Sequence, residues 1–278
     1  MKVLILGGKG MLGHVMVHYF QQFQEYDVQY THRDKNESNG IFLDVLDFDD
    51  VRSLISTYKP DYLINCVGIL NEHATENPHE AIKVNTLLPH ILRYELSKFG
   101  GKLVHISTDC VFEGDKGKYT ESDKPDGKSV YAMTKSLGEV IDEPHLTVRT
   151  SIIGPELKEG IGLYHWFMKQ TGKVNGYVNV LWNGVTTLEL SKVVKYLIEN
   201  NGSGLFHLTA PERVSKYTLL KKIQNVFEKE DVTVIPYEDV ICDRTLVNTR
   251  EDIEYTVCSY DEMLNELKQW IVVPHEKR

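Results

Sequence analysis

The chain has 278 residues, 41% hydrophobic and 26% charged, which excludes disordered, collagen-like and low-complexity readings and allows two ordinary domains or one large α/β unit. With 31 Lys and Arg against 40 Asp and Glu, the net charge of −9 argues against a nucleic-acid or membrane-surface binder and leaves only a local basic pocket for a small anion. The four cysteines (Cys66, Cys110, Cys242 and Cys258) have no CxxC spacing, no apolar run approaches a membrane span, and the start lacks a secretory pattern, so a reduced, cytoplasmic setting is expected.

Strand-like and helix-like segments alternate through the first 150 residues. A short apolar run at 3–6 ends in glycines, and 11–23 carries apolar residues at helical spacing. Further strands are predicted at 28–30, 41–43, 62–65, 102–106 and 146–148, with helices at 47–58, 78–99 and 130–141. Apolar strands alternating with helices imply a doubly wound parallel sheet of the Rossmann type, covered on both faces. After 150 the rhythm breaks into a glycine-punctuated stretch carrying Tyr164, Trp166, Phe167, Tyr177 and Trp182. A helix at 188–199, a strand at 205–208 and helices at 217–227 and 261–270 follow. The expected organisation is a dinucleotide-binding domain at 1–150 and a smaller α+β substrate lobe at 151–278, with segments near 178–200 free to return to the first domain.

Gly7, Gly10 and Gly13 lie between the first strand and the first helix, with Lys9, Met11 and Leu12 in the same turn. The first glycine permits the tight turn, the second lets the backbone approach a pyrophosphate, and the third lets helix and strand pack closely. The helix N-terminus adds free N–H groups and a positive dipole end. NAD sites commonly end strand two in an acid; this chain has His32 and Arg33, which suit a 2′-phosphate, followed by Asp34. NADPH is therefore the expected cofactor, with NADH as the alternative. Asp44 and Val45 follow the third strand, where an adenine edge would lie.

Tyr131 and Lys135 are four apart and share one face of a helix. A lysine charge beside a tyrosine favours the phenolate and makes the phenol a better acid. Ser107, Thr108 and Asp109 close the preceding strand and put hydroxyls at the carboxyl end of the sheet, where such folds bind ligands.

In this order and spacing the chain resembles the extended short-chain dehydrogenase/reductase superfamily and, more closely, the dTDP-4-dehydrorhamnose reductase family. The matching pieces are Gly7 to Gly13, Asn65-Cys66-Val67-Gly68, Val84-Asn85, Ser107 to Phe112, Tyr131 to Glu139 and Val148 to Ser151, with a looser match at Gly204 to Leu208. The resemblance implies Thr108, Tyr131 and Lys135 as the catalytic set. It places Asn65, Cys66, Val67 and Gly68 beside the nicotinamide ribose and makes Asn85 a structural or site-lining residue. Two departures fall on the sugar side: Cys110 stands where the family commonly has tyrosine, and Ile152 where it commonly has tryptophan.

The substrate side is assigned to Asp109, Cys110, Trp182, Arg244 and Arg250, the two arginines being candidates for the substrate's pyrophosphate or for local carboxylates. His14 and His18 lack a third ligand nearby in sequence, and no metal is expected. The expected activity is NADPH-dependent reduction of the 4-keto group of a dTDP- or UDP-linked 4-keto-6-deoxyhexose for surface polysaccharide, in a possible homodimer. Its rivals are a dehydratase or epimerase that keeps NAD bound, and a non-catalytic NADP-binding regulatory subunit.

Overall fold

The computed structural model describes residues 1–158 and 160–272; positions 273–278 of the expected second lobe lie outside them. β1 (Lys2–Leu6) buries Val3 to Leu6 without a break, so both of its faces must be covered. α1 (Gly13–Phe20), β2 (Asp27–His32), β3 (Ile41–Phe42), α2 (Phe48–Tyr58) and β4 (Tyr62–Asn65) follow. After β4 come α3 (Asn71–Glu76), α4 (Pro78–Ala81), a π-helical turn at Ile82–Leu87, α5 (Leu88–Ser97) and β5 (Lys102–Thr108). Tyr131 and Lys135 lie on α6 (Val130–Leu137), whose N-cap Ser129 accepts a hydrogen bond from the Ala132 N–H at 3.0 Å. β6 (Leu146–Thr150) runs beside β5.

The chain then builds β7 (Ile152–Ile153), α7 (Leu163–Lys169), β8 (Gly172–Tyr177), β9 (Val180–Trp182), β10 (Val185–Thr186) and α8 (Thr187–Glu199). β11 (Gly204–His207) pairs in parallel with β6 and completes a seven-stranded sheet in the order β3-β2-β1-β4-β5-β6-β11. The strand expected at 205–208 in the second lobe is therefore the seventh strand of the main sheet, and α8 packs on α1 beneath it. Val3, Ile5, Ile64 and Val104 face Met16 and Phe20 of α1 and Val193 and Leu197 of α8. Leu4, Leu6, Leu63 and Leu103 face Val51 and Ile55 of α2 and Leu92 and Leu96 of α5.

β12 (Val214–Ser215), α9 (Lys216–Val226), β13 (Val232–Tyr237), β14 (Cys242–Asp243) and α10 (Tyr260–Val272) complete the described chain. β13 pairs with β8, while β9 lies between β12 and β14. Three helices differ from expectation. α1 starts at Gly13, because the residues before it form the glycine turn. The helix expected at 78–99 is broken by the π-helical turn. α6 stops at Leu137, because Gly138 lies against the backbone of that turn. Among the described residues no helix is long and apolar enough to cross a membrane.

Candidate active site

The sheet changes direction between β1 and β4, and the glycine turn and the β4 loop meet at that switch point. Gly7 has φ +79, a conformation that favours glycine, and a Cβ on it would lie 2.9 Å from Val67 Cγ2. A Cβ on Gly13 would lie 2.0 Å from the Gly7 carbonyl oxygen. No side chain caps the N-terminus of α1, where the His14 N–H donates to the Gly10 carbonyl at 3.1 Å, and the positive end of the helix points out of the turn. Leu12 is core, whereas Gly10 is exposed and Met11 half-buried. Lys9 donates to Glu37 at 2.8 Å and lies over the Tyr30 ring.

The expected pair at the end of β2 divides. Arg33 is exposed, but His32 is buried beside Tyr30, and neither ring nitrogen has a hydrogen-bond partner. Outward contact with a 2′-phosphate is thus open to Arg33 and not to His32. Asp44 is exposed and accepts the Leu46 N–H, while Val45 is buried beneath it.

Thr108 and Tyr131 meet at the carboxyl end of β5. Both are almost fully buried, and the Thr108 hydroxyl donates to Asp109 Oδ1 at 3.2 Å, accepts the Cys110 N–H at 3.1 Å and lies near enough to the phenol to act on it. Burial pushes the phenol well above its ordinary value, with the Asp109 charge adding to the rise and the Thr108 contact opposing it. The expected lowering of the phenol by Lys135 is overturned by this desolvation. Lys135 instead donates to the Ile106 carbonyl at 2.7 Å, and burial brings its ammonium down to about 8. Asn85, in the π-helical turn, accepts from the Ile69 N–H and donates to the Ile69 carbonyl, both at 2.9 Å, and reaches Thr134 at 3.2 Å. It ties the β4 loop to α6. Ser107 donates to Glu139, which also forms a two-pronged pair with Arg149 at 2.7 Å per contact. That engagement leaves Thr108 as the strand-end hydroxyl facing Tyr131.

Asp109, Cys110 and Arg244 come together on the open side of this set. Arg244 donates to the Phe112 carbonyl at 2.8 Å and approaches Cys110 Sγ at 3.9 Å. It is held there because β14 pairs with β9 and Asn183 grips the Leu246 backbone through both amide atoms. Burial pushes the Asp109 carboxyl up, opposed by the charges of Lys216 and Arg244. Burial likewise pushes the Cys110 thiol up to about 12. Trp182 is buried, stacked on Tyr260 at 5.6 Å, so it serves mainly as core. Arg250 is drawn away from the site: it pairs with Asp252 and donates to the Ser203 and Leu205 carbonyls, at the amino end of β11.

The family model described as the RmlD substrate binding domain matches residues 1–242. The chain belongs to this family. It is 26% identical to the dTDP-4-keto-6-deoxy-D-glucose reductase of Streptomyces niveus over 228 residues, 78% of this chain and 76% of that protein. It is 25% identical to methionine adenosyltransferase 2 subunit beta of Danio rerio over 252 residues, 84% of this chain and 76% of that protein. The crystal structure of a dTDP-4-dehydrorhamnose reductase from Clostridium acetobutylicum superposes with a TM-score of 0.82 at 25% identity, covering 98% of this chain and 100% of that one.

In this RmlD-family chain, Lys216 is the site-facing residue that sequence reading missed. It opens α9 directly after the N-cap Ser215, and its ammonium stands 4.6 Å over the Trp182 ring. Burial brings it down to about 8, opposed by Asp109, Cys110 and Cys242. Its sequence context, a lone lysine at a helix start in the second lobe, carries no signal of a position next to Asp109.

Proposed function

We propose that the chain is an NAD(P)-dependent oxidoreductase that uses NADPH to reduce the 4-keto group of a nucleotide-activated 4-keto-6-deoxyhexose. The observation that carries this reading is the convergence of Thr108, Tyr131 and Lys135 at the carboxyl end of β5, next to the glycine turn. The names of the Streptomyces and Clostridium relatives support the substrate class. The turn fits a dinucleotide: any side chain at Gly7 or Gly13 would fill the cradle, and the start of α1 is uncapped. A bound nicotinamide supplies the hydride.

The remaining work falls to the protein. Tyr131 is held protonated by burial, so it acts as the acid that protonates the developing alkoxide. Thr108 donates a hydrogen bond to the same oxygen. Lys135 orients the nicotinamide ribose, and Arg33 meets the 2′-phosphate. Arg244 and Lys216 hold the acidic part of the nucleotide sugar beside Asp109. The protein works in the cytoplasm, a setting in keeping with four free cysteines. A homodimer is part of this reading, and sedimentation of the purified protein tests it.

The test of the chemistry is NADPH consumption with a dTDP- or UDP-linked 4-keto-6-deoxyhexose. Tyr131→Phe should keep cofactor binding and lose turnover by about 10²-fold or more. Unchanged turnover in that variant overturns the assignment. Loss of water from an intact nucleotide sugar without added NADPH would instead promote the dehydratase. The likeness to methionine adenosyltransferase 2 subunit beta favours a second reading, a dinucleotide-binding regulatory subunit. Tight NADPH binding with no turnover of any 4-keto sugar would select it.

A further inference from the structure

Behind the site, β4 and β5 place two polar side chains directly opposite each other: Asn65 and His105 are register partners. Both are fully buried, on the same sheet face as Leu63 and Leu103, and Lys135 of α6 reaches in from the end of the sheet. The Asn65 amide has a fixed orientation, because its Oδ1 accepts the Val67 N–H at 3.1 Å. Its Nδ2 therefore faces His105 Nδ1, 3.2 Å away. A neutral imidazole has one donor and one acceptor nitrogen. An amide donor at Nδ1 requires that nitrogen to accept, which puts the ring proton on Nε2. Nε2 in turn lies 3.4 Å from Lys135 Nζ, which already donates to Ile106 O at 2.7 Å.

We propose that His105 is a positioning residue for Lys135: locked by Asn65 with its proton on Nε2, it aims a donor at the lysine nitrogen and so favours the uncharged amine. With a charged Lys135, one donor in the buried chain Val67–Asn65–His105–Lys135 lacks an acceptor, wherever the imidazole proton sits. With a neutral Lys135, its lone pair accepts from His105 while an N–H still reaches Ile106, and every link is made. Burial alone lowers His105 well below its ordinary value and keeps it neutral; His90 on α5 adds to this, as does Lys135 whenever it is charged. The other groups facing Lys135 are Glu139, two residues beyond the end of its helix, which favours the ammonium but is engaged by Arg149, and the buried Cys66 thiol just after β4. In the reduction proposed above, the proton balance that His105 sets on Lys135 governs how that nitrogen meets the nicotinamide ribose.

The role in turnover rests on the proposed reductase reading; the proton arrangement does not, and the experiment separates the two. Nitrogen NMR of ¹⁵N-histidine-labelled protein should find His105 as the Nε2–H form, unchanged across neutral pH. An Nδ1–H form, or a ring that titrates there, overturns the proposal. Lysine-labelled protein, with Lys135 assigned by Lys135→Met, should give a Lys135 titration that moves up by about one pH unit, tenfold in the proton equilibrium, in Asn65→Ala. That substitution leaves Lys135 and its direct neighbours in place, and an unmoved titration also overturns the proposal. If the reductase reading is right, the pH profile of kcat shifts with it. If that reading fails, no ketosugar is turned over and the two NMR results still decide the matter.

Discussion

At the scale of single residues, burial governs the chemistry more than charge pairing does. Tyr131 and Lys135 are drawn in opposite directions by the same desolvation, the phenol up and the ammonium down, so each is pushed toward its neutral form. For Lys135 the displacement from 10.5 to about 8 amounts to about 3 kcal/mol. Below pH ~8 the ammonium is buried in the folded chain and hydrated in the unfolded one, and the whole cost is present. Between there and 10.5 the unfolded chain binds a proton that the folded chain has lost, so stability from this residue rises with pH. Denaturation of wild type against Lys135→Met should therefore give a difference that grows in favour of wild type over this window; a flat difference counts against the buried ammonium. Arg33→Ala should narrow the preference for NADPH over NADH by about tenfold, since one charge-assisted contact contributes about 1.5–3 kcal/mol. Equal affinities for the two cofactors in the unmutated protein would refute the role given to Arg33. Lys216→Met should raise KM for the nucleotide sugar with little effect on kcat, and the opposite split would move Lys216 out of substrate binding. The motif residues were readable because glycine spacing and the YxxxK interval are local properties. The environment of His32 was not, since only the folded loop after β2 decides whether a strand-end ring faces inward.

At the scale of elements, the interruption in the helix before β5 is what aims α6, which carries Tyr131 and Lys135. Asn85 lies in the π-helical turn, and its backbone oxygen would meet a Cβ on Gly138 at 1.8 Å. The Asn85 side chain simultaneously holds Ile69 and touches Thr134. Gly138→Ala should cost about 1–3 kcal/mol or more by forcing these backbones apart. It should also lower turnover through the displaced Tyr131, measured by urea denaturation and by kcat on the same preparation. A variant as stable and active as wild type would show that the contact yields. Periodicity alone reads 78–99 as one helix, because a single wide turn leaves the buried apolar residues Ala81, Val84, Leu88 and Leu92 three or four apart. The strands of the first half were legible as short apolar runs alternating with helical spacing. The short strands β7, β9 and β14 were not, because each is specified by long-range pairing rather than by its own composition.

At the scale of the whole molecule, a parallel sheet and its cap share one continuous chain. The cap, the segments carrying β8, β9, β12, α9, β13 and β14, supplies Arg244 and Lys216 to a candidate site whose Thr108, Tyr131 and Lys135 come from β5 and α6. Its own strands reach back, as Tyr119 bridges to Leu246 and stacks on Phe112 at 4.0 Å. Sequence reading found the alternation that builds the sheet, yet assigned its last strand to the cap, since a four-residue run carries no label for its partner. β11 joins β6 only after β7 to β10 have intervened. A fragment of residues 1–150 therefore ends with the edge of β6 bare, and it should self-associate in sedimentation and melt without a cooperative transition; a monodisperse, cooperatively melting fragment would refute this. The same topology sets a schedule in the living cell. A nascent chain leaving the ribosome displays the hydrogen-bonding rim of β6 for as long as the cap is being translated, and the arrival of Gly204 to His207 seals it. Translation speed through the cap-coding stretch thus governs how long this polypeptide is open to capture by a chaperone or by another copy of itself.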